Sequence, residues 1–503
     1  MKSGIDSFRG TLALLQRDGQ LVTIDKEVDP KLEIAGIEKA IDGGPAVLFN
    51  RVKGYKNMSV AGNILATREL VHRVFDLKNH KEALEWGRKA LLNPTTPKVV
   101  DDAPCQEVVI DKNIDIMKTL PVLTHSERDA GPIIGAGNYL FSGSYFNGGT
   151  EISFKRTRPM GKDWCSMMAI PGSHIRAILE ENKGARIPVT MNIGTPPAVL
   201  IVAGAGIMTV AMPFGGNELG VAGTLQGKPV EIVKAKTVDA YAVAQAEIVL
   251  EGYITATRDI WESKEAEKSG KARTLPFFPE WPKYLGRARK VYKFEVTAIT
   301  HRKDPIFYGI LADSFEADNF YALLRESCLY HTFEQMVPGL VQDIFQAYPT
   351  YLTTKIQIKK RSRFDDGWER NLIENTFALY PGTRLVVVVD EDVDIRNADE
   401  VIWAISSRAA METDLLLGAG GKGVGMMPIE ITDKVRGEIA PLLNNTRGLG
   451  INASIPFKVK EHFERSKYPS FKVDLKRWLS DEEINRIQSA QGDYAKLLAK
   501  TGG

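Results

Sequence analysis

EISFKR at residues 151–156, IPVTMNIG at 187–194, EIVLEGYITAT at 247–257 and KFEVTAITHR at 293–302 are short runs rich in Val, Ile and Thr, and their reading decides the fold. Between Gly131 and Asp313 they are joined by AGNYLFSGSYF, SMMAIP, AVLIVAGAG, KPVEIVKA and PIFYGIL, each set off by glycine or proline. Many short strands with few long helices predict a β-barrel or a β-sandwich. A helix from His174 to Glu181 interrupts the series. So does the lysine- and proline-rich segment Arg258 to Arg289, an excursion from the sheet of the kind that carries active-site loops.

Outward from this centre the text changes. Upstream, helical spacing over Ser7 to Asp18, a strand after Gln20, a helix from Lys31 to Ile41 and a strand from Ala46 to Phe49 describe an α/β unit. A strand from Met58 to Asn63 and helices over Arg68–Leu77 and Lys81–Leu92 extend it, and NPTTP at 93–97 reads as a linker. Downstream of Glu316, helices near Asn319–Tyr330, Trp368–Tyr380 and Ala398–Ser407 alternate with strands at Leu352–Lys359 and Arg384–Val389, which predicts βα units on a partly parallel sheet. The tail, Asp474 to Lys500, reads as one polar amphipathic helix.

With 503 residues, 44% of them hydrophobic, the chain is long enough for several domains. Its 65 basic and 63 acidic residues give a formal charge of +2, spread throughout, so neither nucleic acid nor a membrane surface is implied as a partner. Three cysteines without CxxC spacing argue against a disulfide framework or a structural zinc site and fit a reducing cytoplasm. No run approaches the roughly 20 apolar residues of a membrane span.

Several residues carry potential chemistry. Glu218, in the glycine-rich PFGGNELGVAG that opens strand-like text running to Glu247 and Glu251, reads either as a solvated acid on a turn or as a ligand for a hard cation. His174 stands at a helix start, where an anion is favoured, and could also ligate a metal. Glu151 and Arg156 are five apart, so on one regular strand they would face opposite ways. Arg156 could grip a carboxylate or phosphate, although KRTR at 155–158 alone reads as a solvated basic edge. Glu280, among the aromatics and prolines of LPFFPEW, could be a desolvated acid or base, or part of a hydrophobic plug. The cations after it, Lys283, Arg287, Arg289 and Lys290, read first as surface charge, or else as receivers of a second acidic group of a substrate. Gly418–Gly425 lacks the spacing of any phosphate loop and reads as a surface or interface loop.

Taken in order, VTIDKEVDPKLEIAGI, VTMNIGTPPAVLI, PFGGNELGVAG, AEIVLEG, VDEDVDIRNADEVIWAISSR and ASIPFKVKEHFER resemble the UbiD-type family of decarboxylases that use prenylated flavin mononucleotide, and look most like its hydroxybenzoate branch. The resemblance implies an α+β multidomain chain. An N-terminal α/β domain (1–115) precedes a central split β-barrel of flavin-reductase type (116–315, with an active-site loop at 258–289), and a C-terminal α/β oligomerisation domain (316–503) follows. It implies Glu151, His174 and Glu218 as ligands of Mn²⁺, Mg²⁺ or Fe²⁺, acting with K⁺ on the flavin phosphate. Ser153, Phe154, Lys155, Arg156, Ser173, His174, Met212, Pro213, Glu218 and Arg447 would touch the cofactor, and Arg156 and Glu280 would be catalytic. An aromatic acid and CO₂, a flavin prenyltransferase as cofactor supplier and a homodimer or hexamer are the implied partners. A non-catalytic subunit or a flavin oxidoreductase on the same barrel are the alternatives.

The chain departs from the family pattern at three places. LPFFPEW has one acid where an EGPFGE-like motif has two, so the second is missing or supplied elsewhere. Ser314–Asp318 stands where the hydroxybenzoate branch has a histidine, and Arg447 stands where many members keep a lysine.

Overall fold

In the computed structural model the described residues are 4–206, 212–346, 352–380, 382–418, 421–422, 445–446 and 448–501. The N-terminal part is a four-stranded sheet in the order Leu21–Ile24, Ala46–Phe49, Ser59–Gly62 and Ile306–Tyr308. The last strand returns from beyond the central sheet and pairs in parallel with Ser59–Gly62. Helices Phe8–Arg17, Glu33–Ala40, Arg68–Phe75 and His80–Leu92 accompany it, at or within a few residues of the expected ends. Local chemistry sets those ends: Ser7, Thr67 and Asn79 each accept a backbone N–H of the first turn.

The central sheet runs Thr150–Phe154, Asn138–Ser142, Arg186–Ile193, Ile248–Trp261, Lys290–His301, Trp164–Met167 and Thr157–Pro159. Its two end strands are consecutive in sequence, joined only by Lys155 and Arg156. Laid flat, seven strands would hold those edges roughly 29 Å apart, whereas three Cα steps span only about 11 Å. The sheet therefore curls, bringing the end of one edge strand close to the start of the other. Ile134 bonds across the seam to Thr157, and the Lys155 N–H reaches Gly137 O at 3.1 Å. Register shifts at Glu251/Gly252 and Thr255/Ile260 bend the long central pair. Lys98–Val100 and Val108–Ile110 pair with Glu231–Lys234 and Lys290–His301, so the chain has joined the central part before residue 115.

One run that reads as a strand and one that reads as a glycine-rich turn are helices. AVLIVAGAG forms Pro197–Gly204, started by proline at its first turn and buried on every side, a case in which apolar period cannot separate helix from strand. ELGVAGTLQ forms Glu218–Gln226, capped by the Asn217 side chain on Gly220 N at 2.9 Å, so Glu218 opens a helix and does not sit on a loose turn. The excursion is narrower than expected. Its flanking strands run to Trp261 and resume at Lys290, with helix Lys264–Ser269 and hairpin Pro276–Pro279/Leu285–Arg287 between them.

Helix Phe315–Met336 begins a turn earlier and ends later than expected, because Ser314 caps it through Ala317 N at 3.1 Å. It packs on both His80–Leu92 and Pro197–Gly204. Beyond it lies a sheet in the order Val341–Phe345, Thr353–Ile358, Leu385–Asp390, Leu449–Ala453 and Leu415–Leu417, parallel in its middle three strands. The expected single tail helix is two, Asp481–Ala490 and Asp493–Thr501, broken at Gln491–Gly492. No helix is long and apolar enough to cross a membrane among the described residues. Of the loop at 418–425, only Gly418, Gly421 and Lys422 are among them.

Where the N-terminal sheet meets helix Phe315–Met336, two carboxyls are fully buried. Glu316 accepts Asn63 N and Leu65 N at 3.1 and 3.0 Å, and burial pushes it up to about 7. Neither oxygen of Glu38 has a hydrogen-bond partner, and burial, then repulsion from Glu316, holds it well above the carboxylate range. Raised folded values favour the protonated forms, so the contribution is full below the ordinary carboxylate range and is lost as pH rises above it, for Glu316 through about 7. Glu38→Gln, which cannot ionise, is expected to melt higher than wild type at pH 8 and to match it at pH 5 in thermal unfolding. Equal shifts at both pH values would contradict this.

Candidate active site

Strand Thr150–Phe154 presents Glu151 to the start of helix His174–Glu181 and to the start of helix Glu218–Gln226. His174 Nδ1 lies 3.0 Å from Glu151 Oε2 and 3.4 Å from Glu218 Oε1, and one ligand atom from each of the three falls within 4.8 Å of the others. Ile152 N donates to Glu218 Oε2 at 2.7 Å, Ser153 Oγ to Glu151 Oε1 at 2.7 Å, and Lys155 Nζ to Ser153 Oγ at 2.7 Å. Ser173 caps the histidine's helix on Arg176 N at 3.3 Å, and Phe146 and Phe214 wall the imidazole.

Two buried carboxylates this close repel. Burial, then Glu151, pushes Glu218 well above its ordinary range. Against its own burial, His174 is drawn up to about 9 by its bonds to both acids. A divalent cation relieves both effects, and two carboxylates with one imidazole form a suitable donor set.

Arg156 lies at the seam, past the end of its strand, so the odd spacing from Glu151 does not send it away. It is buried, and the solvated-edge reading of KRTR fails for it. Its Nε and Nη2 donate to Glu262 Oε1 and Oε2 at 3.0 and 2.8 Å, its Nη1 donates to Glu280 Oε1, and its guanidinium lies 4.6 Å from the centre of the Phe277 ring. LPFFPEW is thus no passive plug. Its hairpin places Phe277 beneath the arginine and Glu280 against it.

Glu262 is the carboxylate on Arg156 that the sequence did not point to. It is almost fully buried at the end of the long strand, accepts Arg289 N at 2.9 Å, and burial pushes its carboxyl up against the pull of Arg156. The available cue was the second acid absent from LPFFPEW, which was either missing or to be supplied from elsewhere.

The two clusters belong to one cavity system. Ser153, Lys155, Ile170, Ala203 and Gly206 line both the part reaching Glu151, His174 and Glu218 and the part reaching Arg156 and Glu280. Phe154, Phe278, Trp281, Phe320 and Tyr321 make the second part largely aromatic. Met212 is buried and Pro213 exposed, and neither lines these cavities; Arg447 lies outside the described residues. Glu247 and Glu251 serve elsewhere. Glu247 binds Arg9 at 2.8 Å, and Glu251 accepts Lys236 N and Thr237 N at 3.0 and 2.8 Å.

Comparison with known proteins gives the family. The N-terminal, Rift-related and C-terminal domains of the UbiD 3-octaprenyl-4-hydroxybenzoate carboxy-lyase family match residues 12–90, 98–314 and 318–438. A gallate decarboxylase of Lactiplantibacillus plantarum is 32% identical over 88% of this chain and 93% of its own length. An anhydromevalonate phosphate decarboxylase of Methanosarcina mazei is 28% identical over 92% and 99%. Among solved structures, the apo 3,4-dihydroxybenzoic acid decarboxylase of Enterobacter cloacae superposes with a TM-score of 0.84 at 29% identity, covering 96% of this chain and 100% of its own. An evolved dimeric form of the UbiD-class enzyme HmfF from Pelotomaculum thermopropionicum, in complex with prFMN, gives 0.79 at 30%, covering 94% and 100%. With three consecutive domain matches and a relative this similar along most of its length, the chain belongs to the UbiD carboxy-lyase family.

Proposed function

We propose that this chain catalyses the reversible, non-oxidative decarboxylation of an aromatic carboxylic acid with prenylated FMN. One observation carries the reading: a single cavity system has a two-carboxylate, one-imidazole cluster at one end and a buried arginine clamped between two glutamates at the other. The donor set suits a divalent ion able to hold a flavin phosphate, with K⁺ beside it. Gly206, at φ +70 with Arg325 3.0 Å from where a Cβ would stand, keeps the floor between the clusters free of a side chain. Prenylated FMN, when bound, supplies the electron sink for the departing carboxylate.

The chain's own residues do the rest. Glu262 occupies two donors of Arg156 and fixes the guanidinium plane, leaving Nη1 directed at Glu280 and the cavity, where a substrate carboxylate would be oriented. The aromatic lining excludes water, so CO₂ leaves into a dry pocket. As the carbon–carbon bond breaks, the Glu280 carboxyl gives its proton to the carbon that carried the carboxylate, and in the reverse direction it takes that proton away. In this reading Glu262 is the second acid that LPFFPEW lacks.

Phe278, Trp281, Phe320 and Tyr321 favour an aryl substrate over the aliphatic kind that the name of the Methanosarcina relative indicates. The intact ligand set speaks against a purely structural subunit. The same proposal includes a split-barrel cofactor domain, a C-terminal domain that assembles a homodimer or hexamer, and a flavin prenyltransferase as cofactor supplier. It also places the protein in the cytoplasm, in keeping with three buried, unpaired cysteines. Protein co-produced with a flavin prenyltransferase is expected to carry a flavin heavier than FMN and to release CO₂ from at least one member of a panel of aryl acids. An ordinary or absent flavin together with no CO₂ release would overturn the reading.

A further inference from the structure

We propose that the surface pocket behind Met168 is a second binding site, which takes the carboxylate of an aryl acid outside the reaction cavity. The choice of an aryl acid rests on the function proposed above; the pocket itself does not. It is lined by Arg258, Arg273, Arg289 and Lys290 together with Trp261 and Tyr292, and no carboxylate lines it. Among the described residues none of these four cations is ion-paired, in a chain whose net charge is only +2. Four cations around one pocket make it electropositive, and Arg273 repels Arg289 although Glu262 and Glu280 partly offset this, so an anion seated there is favoured.

Arg289 records this field most directly. Its Nε is buried without a hydrogen-bond partner, and the nearby Glu262 is already engaged by Arg156. Burial, then repulsion from Arg156 and Arg273, pulls Arg289 down to about 10. Arg273 adds a backbone observation. It sits at φ +64, a conformation that costs a non-glycine residue energy and tends to persist where function requires it. Its N–H is fixed on Ala288 O at 2.8 Å, which holds it at the pocket.

Aromatic surface selects the class of anion. Trp261 and Tyr292 line the pocket, and Lys290 Nζ lies 5.4 Å from the centre of the Trp261 ring, so an acid seated here meets rings as well as charge. A bare inorganic anion would use only the charge. Met168 lines both this pocket and the reaction cavity, so a flexible thioether stands between the two.

The test is isothermal titration of benzoate into the full chain at low salt, with inorganic phosphate as a second titrant. Arg258 and Arg273 are exposed, so Arg258→Gln/Arg273→Gln should fold normally, and Lys290→Gln serves as an independent variant. The benzoate affinity that remains in Arg156→Lys, where the reaction cavity's own grip on a carboxylate is weakened, is expected to fall about tenfold for each charge-assisted contact then removed from the pocket. Unchanged affinity in both pocket variants, or loss only in Arg156→Lys, would overturn the site. Phosphate displacing benzoate at equal concentration would overturn its assignment to aryl acids. Binding is read without turnover, so a protein that binds benzoate here yet never exchanges CO₂ defeats the reaction and leaves the pocket standing.

Discussion

Glu280→Gln is expected to lower turnover by about 10²- to 10⁴-fold, the usual worth of a positioned acid or base, while flavin content and melting temperature stay close to wild type. Glutamine has the same shape and can still accept the Arg156 Nη1 proton, so the hairpin and the arginine keep their places. What it cannot do is deliver or receive a proton at the reacting carbon. Glu262→Gln should behave differently. Glu262 reaches the reaction through Arg156, whose Nε and Nη2 it holds at 3.0 and 2.8 Å. Weakening that grip loosens the guanidinium and removes half the charge around a buried cation, which costs a few kcal/mol when such a pair is broken. The expected signature is a raised KM and a lower melting temperature, with a smaller loss of kcat than in Glu280→Gln. Comparable rates for Glu280→Gln and wild type would remove Glu280 from the reaction.

Glu218→Gln is expected to weaken Mn²⁺ binding by more than about 100-fold, since changes to outer partners of a metal ligand alone cost 10- to 100-fold. Its metal-free form should be as stable as wild type. Without a cation, burial and then Glu151 push the Glu218 carboxyl well above its ordinary range, so glutamine resembles the form this favours, and its oxygen can still accept Ile152 N. Metal content after dialysis, Mn²⁺ titration followed by EPR and thermal unfolding of the metal-free proteins separate these effects. Flavin retention should fall with the metal if the ion holds the phosphate. A variant that binds Mn²⁺ normally would show that the three residues do not form a metal site.

Local chemistry made part of this legible in the sequence. The helix at His174 could be placed because Ser173 is a strong cap followed by apolar residues at helical spacing, and the α/β units on either side carried clear periods. AVLIVAGAG and ELGVAGTLQ were misread because a helix buried all round has no polar face to mark its turn, and because glycine argues against helix until packing overrides it. Arg156 posed a different problem. KRTR is surface text by composition, and only the curl of the sheet, with Lys155 and Arg156 linking its two edge strands, turns residue 156 inward. Glu262 was hidden for the same reason. Its partner is 106 positions away in sequence, and no local motif announces a contact at that distance.

The most direct test is exchange of ¹³C-bicarbonate into the carboxyl group of an aryl acid by anaerobic, flavin-loaded protein. Label is expected in the carboxylate carbon alone, with wild type and not with Glu280→Gln. No label above background with fully loaded wild-type protein, across a panel of aryl acids, would contradict reversible decarboxylation at the Arg156–Glu280 cavity.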